Sequence, residues 1–335
     1  MRVGLDAYSV HHLNLSPQQV LALASRLGMD GVQFHWAGQI DPNLNVEALQ
    51  AFRTEAAALS LYLDLGIPSV SPVRFESDAD NSVRRLGQGD YRAGLIRVIA
   101  AARGLGCTEV RSHLAAREAR LTPRWPEEVR ATTEFLRSLR PVLKDFGVRV
   151  NLENHADLTT FELLRIIEQV GDDVVGVCLD TGNLVRQLED PHRAVRRVAP
   201  YVHLTHAKDA VLIFTQRGIA WQARPCGRGL LRWDEILAVL APYVPDLTLS
   251  IEDEPPIRDL PIFDPAFLAY HPDLAPAELA ELVHLTCVCH DQIARGEFAE
   301  PREYESHLWQ AQGSARLEAS AAHLRGAVAA LGSPK

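Results

Sequence analysis

Short apolar runs alternate with amphipathic helical stretches eight times in about 250 residues, which predicts an α/β fold, a (β/α)₈ TIM barrel followed by a C-terminal helical extension. Two further observations favour the closed barrel. Four of the runs, VRVNLE, VVGVCLD, YVHLTH and LTLSIE, each end in a residue able to ligate a metal, at Glu153, Asp180, His206 and Glu252, and a parallel barrel gathers successive strand ends at one rim. The first strand runs into DAYSVHH rather than into the glycine-rich turn of a doubly wound open sheet, the competing architecture.

RVGLDAYS reads as the first strand. Ser16-Pro17 then caps and opens a helix with the apolar stripe Val20, Leu23, Ala24 and Leu27, stopped by Gly28. GVQFH is the second strand and Asn45–Leu59 the second helix, striped by Leu49, Phe52 and Ala56. After the third strand, LYLDLG, the connection Ile67–Asp90 with its Pro68 and Pro72 is longer than a structural link needs and is expected to cover the site. A helix through Leu95, Val98, Ile99 and Ala102, the strand TEVRSH, and a long helix from Pro126 to Phe146, which Pro141 is expected to kink, complete the first half. The four ligand-tipped strands are separated by FELLRIIEQV, by PHRAVRRVA and by a loop ending in WDEILAVL. Beyond Glu252 a proline- and acid-rich connector leads to helices at 277–293 and 314–331, dividing the chain into a catalytic barrel domain, 1–258, and the extension, 259–335. Such tails cover a barrel base or embrace a neighbour, so a homo-oligomer or a small partner subunit is expected to use it, and its alanine-rich end reads equally as half-disordered.

With 335 residues, 47% of them hydrophobic, the chain can bury a full core. A net charge of −9 without a basic cluster argues against nucleic acid and acidic membranes and favours a small polar substrate. The five cysteines, Cys107, Cys178, Cys226, Cys287 and Cys289, form neither a disulfide framework nor a zinc ribbon. No apolar run nears the roughly 18 residues of a membrane span, and a cytoplasmic protein is expected.

Side chains two apart on a strand share a face. With Leu247, Leu249 and Ile251 outward, Thr248, Ser250 and Glu252 point inward; with Val148, Val150 and Leu152 outward, Arg149, Asn151 and Glu153 do. Asp180 shares a phase with Val174, Gly176 and Cys178. Three carboxylates facing one lumen, joined by the imidazole of His206, make a set for one hard or borderline divalent ion: Mn²⁺ foremost, with Mg²⁺, Co²⁺ or Zn²⁺ as alternatives. Around it, His155 of ENH and His113 at the end of the fourth strand could reach the same rim. His35-Trp36 offers a polar atom and a stacking face, and Lys208 and Asp209 could support the ligands from behind. Arg217, Trp221 and Arg224, on the long loop after the seventh strand, could bind hydroxyls or a phosphate. Each also has a plainer reading as a loop-orienting, packing or solvated residue, while His11 and His12 read as surface residues.

In order along the chain, NLENH, CLDTGN, HAKDA, PCGRG followed by LRW, and SIEDE resemble the motifs of the xylose-isomerase-like barrel superfamily, particularly its sugar isomerase and epimerase branch with the tagatose and psicose 3-epimerases. The resemblance covers about Met1 to Glu252. It implies that Glu153, Asp180, His206 and Glu252 bind one divalent metal. It also implies that Glu153 and Glu252 serve as acid and base on opposite faces of a sugar, moving a proton through a metal-stabilised enediolate. The chain departs from the epimerase pattern at Asn183, where a sugar-binding histidine is common, at Gln33, where an acid is frequent, and at Arg228, where a glutamate is common. These departures bear on the substrate, which Asn183 is a candidate to bind, and keep a lyase open: β-elimination on 3-oxo sugars, as in C-glycoside deglycosidases or inosose dehydratases. A non-catalytic barrel binding a sugar or a partner predicts broken ligands, and all four stand in the sequence. Endonuclease IV shares the superfamily, but its trinuclear zinc cluster needs further histidines and acids.

Overall fold

The computed structural model describes residues 1–73, 78–115, 117–254, 257–306 and 309–332. Eight parallel strands close into a barrel: β1 (Arg2–Asp6), β2 (Gly31–Phe34), β3 (Tyr62–Gly66), β4 (Glu109–Ser112), β5 (Arg149–Glu153), β6 (Val175–Asp180), β7 (Val202–Ala207) and β8 (Thr248–Ile251). Each pairs with the one before, and β8 returns to β1 with Arg2 opposite Thr248 and Leu5 opposite Ile251. Helices α1 (Pro17–Arg26), α2 (Val46–Ala58), α3 (Tyr91–Gly104), α4 (Trp125–Phe146), α5 (Thr160–Val170), α6 (Pro191–Val198), α7 (Trp233–Leu240) and α8 (Trp309–Leu331) surround it.

The local chemistry explains the boundaries. Ser16 and Gln19 exchange side-chain and backbone hydrogen bonds, so α1 starts on a capping box with Pro17 in its first turn, and α5 starts the same way on Thr159 and Glu162. α4 stops at Gly147, whose φ of 60° ends a helix without the penalty a Cβ would bring. Val150, Leu152, Leu249 and Ile251 pack outward into the core, as strand phase requires. On the inward face Glu109 accepts from Arg149 at 2.9 Å and from Asn151 at 2.8 Å, and Asp64 accepts from Thr248 at 2.7 Å. Tyr62 plugs this end of the lumen: a Cβ on Gly4 would lie 2.0 Å from its hydroxyl, and one on Gly31 would lie 2.2 Å from its ring. The C-terminal strand ends form the opposite mouth.

The described residues of the connection after β3 pack against the outer helices rather than over that mouth. Among its described residues Asp78–Leu86 is a helix seated on α3, where Gly94 has no Cβ to meet the Val83 carbonyl and lets the backbones touch. Ser71 donates to Glu128 at 3.2 Å and Tyr91 to Asp80 at 2.9 Å, fastening the segment to α3 and α4. The expected irregular loop after β7 is a hairpin instead: Asp209–Thr215 pairs antiparallel with Gly218–Arg224, and Arg258–Leu260 adds a third strand. DAVLIFT and GIAWQAR are rich in strand-forming residues, and Gly218, at φ 141°, turns the chain between them.

The tail supplies the eighth outer helix. α8 packs against α7, β1 and β8, and Leu317, Ala321 and Leu324 sink into the main core. The stretch 314–331, expected as a helix whose alanine-rich end reads equally as half-disordered, is thus a packed helix; alanine favours the helical backbone and lets it approach closely. A cut at 258 would sever the three-stranded sheet and remove this helix from the barrel wall. Upstream, Pro276–Ala294 covers the hairpin, with Leu282 and Cys289 fully buried in a second core containing Leu212 and Trp221. Leu324→Ala should destabilise the protein by about 2–3 kcal/mol, by lost burial plus a cavity, measured as a lower urea midpoint at unchanged m-value; an unchanged midpoint would place α8 outside the cooperative unit. No helix among the described residues is long and apolar enough to cross a membrane.

Candidate metal centre

Glu153 and Asp180 close β5 and β6, His206 is the penultimate residue of β7, and Glu252 follows β8. Register sets Asp180 beside His206 and His206 beside Ser250, so the side chains converge. One ligand atom from each of the four lies within 4.8 Å of the others, and the residues are 0, 0, 2 and 6% exposed. This buried group could hold a metal ion.

Its electrostatics call for a cation. Nε2 of His206 lies 2.7 Å from Oε1 of Gln33 and 3.1 Å from the Asp6 carboxylate, which can only accept, so Nε2 carries hydrogen. Nδ1 then faces Glu153 at 3.2 Å and Glu252 at 2.6 Å. A lone pair is repelled by two carboxylates, so Nδ1 needs a proton or a cation in front of it. Burial disfavours the His206 proton, but Glu153 and Glu252 outweigh burial and hold its pKa well above 6.5. Burial likewise raises both glutamates, yet His206, His155 and Arg111 bring Glu153 far below the carboxylate range, and Lys208 and His206 do the same for Glu252. Asp180 is pushed up to about 6 by burial despite Lys208. Oε2 of Glu252 is buried beside Nδ1 without an aligned hydrogen bond, the condition of an acceptor that a metal would satisfy. Three carboxylates and one imidazole suit a hard or borderline divalent ion.

A pH dependence follows. Since His206 has a raised pKa it is charged at pH 7 in the metal-free protein, and ligation requires the neutral ring. Mn²⁺ binding should therefore release about one proton at pH 7 and tighten as pH rises toward the pKa of His206. Calorimetry in buffers of different ionisation enthalpy measures this, and uptake of protons would contradict it.

The supports are built from neighbouring residues. Asn154 clamps the backbone of Asp180 with two bonds, at 2.7 and 2.8 Å, joining the ends of β5 and β6. Asn183, fully buried, donates to Asp180 through its amide side chain at 2.6 Å and its backbone at 2.9 Å, and accepts from Arg186 at 2.7 Å. Lys208 places its ammonium 2.9 Å from Asp180, 3.2 Å from Glu252 and 3.3 Å from Glu254. Asp209 touches none of the four; it gathers the backbone N–H groups of Ala210, Gly227 and Leu231 and the Trp233 indole, fixing the PCGRG turn.

The group opens on a cavity of about 830 Å³ that His35, Arg111, His113 and His155 also line. Arg111 bonds Glu153 at 2.7 Å, His35 at 2.9 Å and His113 at 3.4 Å, and the His113 and His155 rings lie 4.8 Å apart. Burial, then Arg111, lowers the pKa of His35 to about 3. Burial, His155 and Arg111 hold His113 well below 6.5. The other substrate-binding candidates do not line this cavity. Trp36, on the opposite strand phase to His35, is 7% exposed and covers Gly38. Asn183 is turned to Asp180. Trp221, fully buried, donates to the Gly182 carbonyl at 3.1 Å. Arg224 bonds the Ala299 carbonyl at 3.0 Å and stacks on Tyr304, and Arg217 is exposed near the hairpin turn. The hairpin fold keeps all three of its residues out of this cavity wall.

Arg111, Asp6, Gln33, Tyr8 and Glu254 line the cavity or touch its ligands without having been singled out as site residues. Arg111 had a signal: it lies two residues before His113 and so shares its face. A smaller cavity, about 590 Å³, lies at the other end of the barrel among Arg2, Tyr62, Asp64 and Glu109, with none of the four ligands in its wall.

Comparison with known proteins places this geometry in context. The family model described as Xylose isomerase-like TIM barrel matches residues 21–265. The chain is 26% identical over 120 residues to a 3-oxo-isoapionate decarboxylase of Pectobacterium atrosepticum, 35% of this chain and 44% of that protein's length. It is 23% identical over 251 residues to the uncharacterized protein YihM of Escherichia coli, covering 70% of this chain and 67% of that one. Among solved structures, D-psicose 3-epimerase of Clostridium cellulolyticum H10, described with D-tagatose, has a similar fold, with TM-score 0.63 at 14% identity over 98% of this chain and 99% of that chain.

Proposed function

Because the chain belongs to the xylose isomerase-like TIM barrel family, we propose that it is a divalent-metal-dependent sugar isomerase or epimerase that moves a proton at a carbon beside a carbonyl. The observation that carries this reading is the convergence of four potential ligand atoms within 4.8 Å at the mouth of the barrel, three of them, from Glu153, His206 and Glu252, on residues that line a cavity of about 830 Å³. Glu153, Asp180, Nδ1 of His206 and Glu252 would hold the ion. Bound there, it would act as a Lewis acid on the substrate carbonyl and its neighbouring hydroxyl.

The rest falls to side chains. Glu153 and Glu252 are held as carboxylates, the form a base requires, by His206, Arg111 and Lys208. One, as the carboxylate, takes the proton from carbon; in epimerisation the other must enter the step as the carboxylic acid and gives its own proton to the opposite face, while in isomerisation the first returns the proton it took to the adjacent carbon. His35, His113 and His155 are placed to hold hydroxyls. Asp6 and Gln33 keep His206 oriented with Nδ1 toward the carboxylates. A second reading, cleavage of a bond β to the same carbonyl, gains support from the partial likeness to a decarboxylase whose named substrate is a 3-oxo acid.

The test is a panel of ketoses, 3-oxo-glycosides and 3-oxo sugar acids incubated with Mn²⁺-loaded protein in D₂O. Deuterium entering next to the carbonyl without cleavage supports the isomerase or epimerase. Aglycone or CO₂ release supports the lyase, and a silent panel despite bound metal would leave a binding barrel.

A further inference from the structure

We infer that Arg111 is a positioning residue that fixes the hydrogen-bonding polarity of one cavity wall, making His35 and His113 donors and leaving His155 an acceptor, so that this wall takes an uncharged hydroxylated ligand rather than a phosphorylated one. The ligand half rests on the sugar-enzyme reading above; the polarity half does not.

Arg111 enters the lumen from β4 and is 6% exposed. Its Nη2 lies 2.9 Å from Nδ1 of His35 and its Nη1 lies 3.4 Å from Nδ1 of His113. A guanidinium carries five donors and no acceptor, and it stays protonated. Each ring nitrogen facing it therefore presents a lone pair, and the single hydrogen of each neutral ring sits on Nε2. His155 is set the opposite way. Its Nδ1 lies 3.2 Å from the carbonyl oxygen of Ala115, which can only accept, so Nδ1 holds a hydrogen and, in the neutral ring, Nε2 the lone pair.

All three rings line the cavity, and no described protein atom bonds any of the three Nε2 atoms, so a ligand or solvent completes them. The rings form a row, His35 to His113 at 6.0 Å between centroids and His113 to His155 at 4.8 Å. Two donors followed by one acceptor complement a run of hydroxyl groups, each of which accepts and donates.

Charge points the same way. Among the described residues Arg111 is the only arginine or lysine in the cavity wall, and Glu153 engages it at 2.7 Å. Asp6, Glu252 and Glu254 share the wall. A phosphate would meet neutral N–H groups and carboxylates, with no guanidinium or ammonium left to pair with it.

Two-bond ¹H–¹⁵N spectra of the histidines in Mg²⁺-loaded protein, assigned by single substitutions, read the tautomers directly. Expected are His35 and His113 protonated at Nε2 and His155 at Nδ1, with His35 becoming a mixture in Arg111→Met while His155 keeps its form. His35 protonated at Nδ1, or an unaltered pattern in Arg111→Met, overturns the polarity half. Should that variant not fold, the wild-type spectrum and Arg111→Lys, which keeps a charge for Glu153 but cannot fork to both rings, decide the matter. For the ligand half the same signals are followed during titration with D-fructose and D-fructose 6-phosphate. The phosphate should bind about tenfold or more weaker. Equal or tighter phosphate binding overturns this half alone; no response to either sugar overturns it together with the sugar-enzyme reading.

Discussion

Glu252→Gln and Glu153→Gln, each at saturating metal, should lower deuterium exchange into an active sugar by about 10²–10⁴-fold, the contribution typical of a positioned general base. The amide keeps the size of the side chain and one ligating oxygen but cannot take a proton. The geometry predicts loss in both variants when the substrate is an epimer pair, since the two residues work on opposite faces. For an isomerisation using one face, only one variant should lose exchange. Stopped exchange measured by NMR separates these cases, and full activity in both variants would remove the glutamates from the chemistry.

The second large effect concerns stability. Lys208 is 2% exposed, and its ammonium stands among Asp180, Glu252 and Glu254. Those carboxylates lift the pKa of Lys208 well above its ordinary value against the effect of burial, so the charge is retained inside the protein. Removing one partner of a buried ion pair leaves the other uncompensated, at a cost of about 3–5 kcal/mol. Lys208→Met should thus unfold at clearly lower urea concentration without metal. Mn²⁺ should restore part of the loss, because a cation binding only the folded state among the same carboxylates stabilises it by mass action. A variant as stable as the parent in EDTA would show that Lys208 does not balance the site.

The buried cluster that could hold a metal was legible because each member terminates an apolar run, and alternation alone turns Glu153 and Glu252 inward. The barrel was legible from the same runs. What escaped reading depended on long-range partners. Arg111 in TEVRSH has no visible partner in the sequence until Glu153, 42 residues away, is brought to it. The strand Gly218–Arg224 reads as a loop until Asp209–Thr215 and Arg258–Leu260 pair with it on both sides. Trp221 suggested a sugar-stacking face, yet the second core formed by Leu260, Phe267 and Leu282 encloses it. α8 lies too far from β8 in sequence for periodicity to assign it to the barrel wall, although Leu317 and Leu324 carry the spacing of a buried stripe. Asn183, a departure from the expected histidine, serves Asp180 rather than the cavity.

The most direct measurement is the anomalous diffraction map of crystals grown with Mn²⁺. It should contain one strong peak per chain, within bonding distance of Glu153, Asp180, His206 through Nδ1, and Glu252, with Lys208 withdrawn from at least one carboxylate. A peak elsewhere, or no peak at these four residues under saturating metal, would contradict a shared ion at the strand ends.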